Sequence, residues 1–348
     1  MTIPAQFNAS NQTAANSQAV ANCQAAYDVV TIGETMLRLT PDSTLRLEQA
    51  ESLQVHVGGS ESNTAVGLAR LGKRVAWISR MTDNHLGRRI ERAIASHGVD
   101  TKDIVWTAKD RVGLYFLEAG TPPRNSHVIY DRANSAFSKF EEKDLPRGLF
   151  VPGKSKWLHI TGISLSLGEP IRGTIAEAVR QARSAGWQIS FDVNHRTLLC
   201  NAKQAHAYCR SLFETAELVF LPRRDANNLW EMNVEESDAS VMAKLTAMRT
   251  GKPTVMTLGT RGAMASDGES CVLQTIEPVE PIGRLGGGDA FSAGFLSAWL
   301  DEQDLERSLK WATATARLKY SISGDLPLIS KDEVANLVDG SLRESLVR

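Results

Sequence analysis

The chain lacks an excess of either charge: 39 Lys and Arg stand against 40 Asp and Glu, for a formal net charge of -1. That balance excludes the basic character expected of a dedicated nucleic-acid binder or of a protein held to an anionic membrane surface. Cysteine is scarce. The four present, Cys23, Cys200, Cys209 and Cys271, form no CxxC pair and have no histidine at metal-ligand spacing. Neither a disulfide framework nor a zinc site is expected, and a reducing cytoplasm suits such a sequence. No apolar run approaches the roughly 20 residues that span a bilayer. What remains is 348 residues, 42% of them hydrophobic, enough for one large domain with a substantial core.

Residues 1–26 contain no charged side chain, and their only branched or aromatic apolar residues are Ile3, Phe7 and Val20. Such a segment cannot offset its ordering entropy. It also lacks the basic start and apolar centre of a secretory signal, so it is expected to be a flexible tail. From Tyr27 the pattern changes to YDVVTIG, a β-branched run ending in glycine. Similar strand signals recur at 74–79, 156–163, 188–194, 218–221 and 253–259, separated by helical periodicity at 62–72, 85–98, 169–186 and 237–251. Alternation of this kind predicts an α/β domain over 27–335, with a mostly parallel sheet covered by helices on both faces and a C-terminal extension at 336–348. Residues 36–57 and 111–131 depart from the rhythm, showing short alternating strands and turn residues. They predict a small antiparallel sheet, which as a mobile cover could keep water from a cleft. An exposed lid sheet also offers an edge for a homo-oligomer.

GLFVPGKS at 148–155 satisfies the P-loop expression letter by letter. The expression has mechanical content only where a strand runs in and a helix runs out. Here a charged segment precedes it and the strand-like KWLHITGI follows, so a surface turn is expected. IGRLGGGDAFSAGFLSAWL at 282–300 is different: Gly286, Gly287 and Gly288 lead into Asp289 and a segment of helical periodicity. Backbone N–H groups and the positive end of the helix dipole converge there, which suits charge developing on a transferring phosphoryl group. Asp289 taken alone fits a catalytic acid or a plain helix N-cap equally well. A second Gly-rich entry, VGGSESNTAVGLARLG at 57–72, supplies Gly58 and Gly59 for close backbone approach and Asn63 as a partner for a sugar hydroxyl.

In order and spacing, GGSESNTAVGLARLG and GGGDAFSAGF together resemble the two signatures of the ribokinase or PfkB family of carbohydrate kinases. The resemblance runs from about Tyr27 to Leu328. It implies a doubly wound three-layer α/β sandwich with a small β-sheet lid, ATP and Mg²⁺ as co-reactants, and small-molecule partners only. By position it implies Asp289 as general base, Gly286, Gly287 and Gly288 as the anion hole, and a nucleotide-side loop at TLGTRGA (257–263) with Thr257, Gly259 and Gly262 near ATP. Within the family, TIGETMLRL, RVGLYFLE, YDRANSAFS, LHITGISLSL and FDVNHRTLL look like 2-keto-3-deoxygluconate kinases. That likeness assigns Gly33, Tyr115, Tyr130, Arg132 and Arg196 to the substrate, with Asn194 and Arg196 beside the transferring phosphate. The planar fork of arginine suits a sugar-acid carboxylate.

The sequence departs from the family pattern in three places. Gly283 and Arg284 stand where the family has an Asp-Thr pair that helps to bind an activating monovalent cation, so such activation is not expected. Pro222, Arg223, Arg224 and Asp225 replace the N-x-x-E element tied to magnesium and phosphate, leaving Asp225 as the candidate metal ligand. Gly287 replaces an alanine and is expected to loosen the loop. The implied activity is phosphorylation of 2-keto-3-deoxygluconate to its 6-phosphate. A kinase for a neutral sugar such as fructose or ribose, a nucleoside kinase, and a catalytically weak sugar- or nucleotide-binding pseudokinase stay open alternatives.

Overall fold

A computed structural model describes residues 25–340 apart from 43–44, 121–122, 278 and 284, so most of the tail, the end of the C-terminal extension and Arg284 lie outside the described residues. Fifteen strands are described: β1 (Tyr27–Ile32), β2 (Met36–Thr40), β3 (Gln54–Gly58), β4 (Val75–Ile78), β5 (Arg80–Thr82), β6 (Val99–Asp100), β7 (Val105–Thr107), β8 (Leu114–Glu118), β9 (His127–Asp131), β10 (Ser155–Thr161), β11 (Gln188–Asp192), β12 (Leu218–Pro222), β13 (Thr254–Thr257), β14 (Ala263–Ser266) and β15 (Cys271–Gln274). The helices are α1 (Ser60–Arg70), α2 (His85–Ala95), α3 (Gly162–Leu165), α4 (Glu169–Ser184), α5 (Ala202–Thr215), α6 (Arg223–Trp230), α7 (Asp238–Met248), α8 (Gly287–Glu302), α9 (Leu305–Tyr320) and α10 (Lys331–Val338).

Nine strands form the central sheet in the order β15-β14-β13-β12-β11-β10-β1-β4-β6. It is parallel from β13 to β6, as the β-branched runs predict, and closes at one edge with the antiparallel pairs β13–β14 and β14–β15. That edge hairpin is absent from the sequence reading: AMAS and CVLQ are four residues each and carry too few β-branched residues to signal strands. Buried Ile171, Ile175, Phe213, Leu229 and Leu245 put α3 to α7 on one face. Leu68, Ile94, Phe295 and Leu309 put α1, α2, α8 and α9 on the other. The fold is thus the expected three-layer α/β sandwich. Caps fix several helix starts: Asn84 accepts from two amides of α2, and Asn201 and Ser330 form capping boxes with Gln204 and Glu333. Among the described residues no helix is long and apolar enough to cross a membrane.

Strands β3-β2-β8-β9 form the separate small sheet, antiparallel except for the parallel pair β2–β8. The registers line up His56, Arg38, Tyr115 and Tyr130 in one cross-strand row. Ser155 opens β10, so GLFVPGKS is a turn entering a strand, tied to β1 by hydrogen bonds from Ala26 and Tyr27 N–H to the carbonyls of Gly153 and Lys154. The helix α10 runs to Val338, across the boundary read at 335.

Candidate active site

In doubly wound sheets a ligand sits beyond the carboxyl ends of the strands, where strand order reverses. Here the reversal lies between β1 and β10, and the strand ends nearby carry Thr161 paired with Asp192 and Pro222 paired with Thr257. Two helix N-termini meet at this row. Gly286 caps α8 with φ 76°, a left-handed conformation that glycine adopts without strain. The first hydrogen bond of α8 runs from Ala290 N–H to the Gly286 carbonyl, so the N–H groups of Gly287, Gly288 and Asp289 stand outside its ladder. They form a ready anion site at a positive helix end.

Asp289 does not cap its own helix, so the N-cap reading of this residue does not hold. Its carboxylate reaches across to the start of α1: Ser60 Oγ donates to Oδ1 at 2.6 Å and Asn63 Nδ2 donates to Oδ2 at 2.7 Å. Asn194 Nδ2 donates in turn to Ser60 Oγ at 2.8 Å. Burial pushes the Asp289 carboxyl above its ordinary range, against the two hydrogen bonds and the nearby Arg196 guanidinium. Asp192, at the end of β11, is pushed up to about 8 by burial and by the neighbouring Asp289 and Asp225 charges, so it carries a proton at neutral pH. Each Asp289 oxygen has two lone pairs and only one described partner, which leaves capacity for a further proton donor.

Asp225 is buried, and its carboxylate is engaged: Oδ2 accepts from His195 N–H at 3.1 Å and Oδ1 from Arg224 Nε at 3.1 Å. It tethers the loop that carries Asn194 and Arg196. Among the described residues no group of three or more His, Cys, Asp or Glu is arranged around a metal position. Pro222 has φ -71°, which its ring favours, and precedes α6. Arg223 turns away from the strand ends to Asp238 and the carbonyls of Asn233 and Glu236. Gly287 also departs from its expected effect. A β-carbon there would lie 2.5 Å from Tyr320 Cε1 and 2.8 Å from its Cζ and Oη, so the tyrosine occupies the space and the loop is not slack.

The remaining residues named from sequence divide between two sides. Thr257 ends β13, and Gly259 and Gly262 bound the turn into β14, where Leu258 N–H bonds the Gly262 carbonyl. On the lid side, the Tyr115 and Tyr130 rings lie tilted against each other with centroids 6.0 Å apart, and Tyr115 Oη donates to Asp325 at 2.5 Å. Gly58 faces that same hydroxyl, Gly59 caps α1, and the Gly33 carbonyl accepts from Trp77 Nε1 and Ser79 Oγ. Arg132 is less free than expected, because Nε and Nη2 both donate to Glu34 Oε2. The other Glu34 oxygen is buried without a partner. Arg196 makes none of the described ion pairs, and its positive charge favours the ionised forms of Asp289 and Asp192.

Besides Asp192 and Ser60, four more buried groups escaped the sequence reading. Besides Glu34, Glu61 is fully buried and pushed up to about 7 by desolvation, while Thr161 and Ser164 hydroxyls donate to its Oε1 at 2.8 and 2.6 Å. Asp325 joins the lid to the main domain by pairing with Arg38 Nε at 2.7 Å. Lys319 is fully buried in the last turn of α9. Glu34 follows Gly33 directly and Glu61 lies two residues after Gly59, inside the first signature, which is the one sequence signal that could have flagged them.

Comparison with known proteins agrees with this geometry. The chain is 34% identical to a 2-dehydro-3-deoxygalactonokinase of Haloferax volcanii over 90% of its own length and 97% of that protein. A crystal structure of 2-dehydro-3-deoxygluconokinase from Thermotoga maritima superposes with a TM-score of 0.85 at 28% identity, covering 91% of this chain and 99% of that one. For the fold alone, a Vibrio cholerae fructokinase solved with fructose, ADP and potassium ion matches with a TM-score of 0.77 at 23% identity, over 90% and 99% of the two chains. The model of the pfkB family carbohydrate kinases matches residues 26–329, and the chain belongs to that family.

Proposed function

We propose that the protein transfers the γ-phosphoryl group of ATP to the terminal hydroxyl of a 2-keto-3-deoxy sugar acid, with 2-keto-3-deoxygluconate as substrate and its 6-phosphate as product. The observation that carries this reading is Asp289, a buried carboxylate held between two helix starts beside three free backbone N–H groups. Asp289 takes the proton of the hydroxyl as its oxygen attacks phosphorus, and the bond to the β-phosphate oxygen breaks to release ADP. Its raised proton affinity brings it closer to the pKa of an effective base at neutral pH. The N–H groups of Gly287, Gly288 and Asp289 receive the charge that develops on the equatorial oxygens, with Arg196 and Asn194 on the opposite side. Charge on the phosphates would be neutralised by Mg²⁺ bound with the nucleotide.

The sugar binds under the lid. Arg132 Nη1, which makes none of the described hydrogen bonds, and the Tyr130 hydroxyl recognise the carboxylate end, with the Tyr115 ring beside them and its hydroxyl kept by Asp325, while Asn63 and the backbone at Gly33, Gly58 and Gly59 face the sugar hydroxyls. Thr257, Gly259 and Gly262 border the nucleotide. The 2-keto-3-deoxygalactonate epimer is the second reading, favoured by the Haloferax relative.

The test is an ATP-consumption assay with both epimers, fructose, ribose and adenosine. The expected result is turnover confined to the sugar acids, with KM for the acid raised about 10-fold or more in Arg132→Ala, the cost of one charge-assisted hydrogen bond. Preference for a neutral sugar or nucleoside would refute the substrate class, and absence of turnover on all five would refute the kinase reading in favour of a sensor.

A further inference from the structure

A lone ammonium is buried directly behind the anion loop. Lys319 has no exposed surface, and it makes none of the described ion pairs. Its Nζ donates instead to the carbonyls of Ile322 and Gly324, each at 2.9 Å. Its Cε lies 3.3 Å from the place where a β-carbon on Gly286 would be, and the Asp325 carbonyl lies 2.0 Å from that place. The segment preceding the glycines lies against the same turn, because Ile282 N–H donates to the Tyr320 carbonyl at 2.8 Å. Burying a charge with only neutral partners is expensive, and a packed apolar side chain would avoid that cost. Burial does oppose the charge on Lys319, while Asp325 and Asp289 support it.

We propose that Lys319 is a built-in monovalent cation: its ammonium holds the carbonyls of Ile322 and Gly324, fixes the Gly286 turn and adds positive charge behind the phosphoryl site. Carbonyl oxygens converging on one positive centre are the donor set that a potassium ion takes. In this chain that centre is already filled by a tethered ammonium, so a free ion does not fit the two carbonyls. The position is built from the chain rather than borrowed from solvent, and it sits beside Gly283, where the resemblance led to no expected activation by such an ion. Lys319 touches no substrate and acts as a positioning residue. Asp325, whose neighbours Ile322 and Gly324 it ties down, also pairs with Arg38 and Tyr115 of the lid, so the same turn joins lid and anion loop.

The proposal rests on the kinase reading, and its test separates the two. Turnover of the unaltered protein is measured with K⁺, NH4⁺, Na⁺ or choline as the sole monovalent cation at constant ionic strength, alongside MgADP affinity by calorimetry, which needs no sugar. The expected result is that neither quantity changes more than about 2-fold, against the 10-fold or larger effects of losing a preorganised charge. In Lys319→Ala the vacated space is open to an ion, so turnover and MgADP affinity should fall about 10-fold or more in choline and recover in NH4⁺ or K⁺. Saturable activation of the unaltered protein by K⁺ would overturn the proposal without needing the variant to fold. So would a folded Lys319→Ala protein that keeps full activity in choline, or one whose loss no cation restores. If no sugar is turned over at all, the kinase reading fails, while the calorimetric arm still decides the role of Lys319.

Discussion

Gly287→Ala restores the residue that the family pattern has at this position, and the structure nevertheless expects it to disable the enzyme. Position 287 is the first residue of α8, so alanine would be tolerated by the backbone and would gain at most about 1 kcal/mol of helix propensity. The added carbon, however, would sit 2.5 Å from Tyr320 Cε1 and 2.8 Å from Cζ and Oη. Ordinary carbon contacts lie near 3.5–4.0 Å, so the phenol group or the loop must retreat by about 1 Å. Overpacking of that kind costs about 1–3 kcal/mol, which outweighs the propensity gain. Tyr320 is held by its place in the last turn of α9 and by the Ile282 hydrogen bond to its carbonyl, so part of the movement falls on the loop. A misplacement of about 1 Å at a reacting centre can cost 10²-fold. The expectation is therefore a kcat lower by about 10- to 100-fold, a modest fall in Tm, and substantial recovery in Gly287→Ala/Tyr320→Ala, where the ring is gone. Steady-state kinetics of the four proteins form a double-mutant cycle with an expected coupling above about 1 kcal/mol. Gly287→Ala with kcat within about 2-fold of the unaltered protein, or effects that simply add, would refute the steric argument.

Two further substitutions address the buried acids. Asp289→Asn should lower kcat by about 10²- to 10⁴-fold, the span for losing a general base, with MgADP affinity little changed, because Asn63 can rotate its amide to meet the new one. The same variant should raise Tm, since it removes a carboxyl whose ionisation burial opposes; a fall in both activity and Tm would mean that Asp289 is structural. Burial pushes the Glu61 carboxyl up to about 7 from the ordinary glutamate value of 4.5. Between those values the unfolded chain has lost this proton and the folded one keeps it, so Glu61 makes stability fall as pH rises through the window and level off above it. The change is about 3 kcal/mol for this fully buried group. In urea denaturation, Glu61→Gln should match the unaltered protein near pH 4 and exceed it near pH 8; parallel pH profiles would contradict the assignment.

The parts of this fold that were legible are those encoded by neighbours in sequence. The β-branched runs of β1, β4 and β10 to β13, the periodicity of α1, α2, α4 and α7, and the alternating lid strands all carry their signal within a few residues. The two glycine-rich segments were legible for the same reason. Partnerships across the chain were not: Arg38 and Asp325 are 287 residues apart, and Glu34 and Arg132 are 98 apart. Nothing local distinguishes a lysine such as Lys319 from a surface lysine at the end of a helix, because its burial depends on where Ile322 and Gly324 direct their carbonyls. Gly287 illustrates the complementary failure. Read alone it means added freedom, and only its pairing with Tyr320 turns it into a close-packed contact.

The same reasoning explains why the two signatures are far more informative together than apart. A helix-start aspartate that capped its own helix would contribute about 1 kcal/mol to stability and imply no chemistry. Asp289 instead bonds Ser60 and Asn63, 229 and 226 residues away, so its own helix keeps three free N–H groups and a buried carboxylate beside them. Asp192, Glu61 and Lys319 are buried around it, each with its charged form opposed by desolvation. Four such groups within one region lower the stability of the fold, and nothing in the packing of the sheet requires them. Concentrated violations of ordinary burial rules are expected where a fold places its chemistry. The proposed phosphoryl transfer gives the cluster a use: burial favours the neutral forms of Asp192 and Glu61, which leaves the Asp289 carboxylate and the Lys319 ammonium as the charges that a dry cleft keeps unscreened.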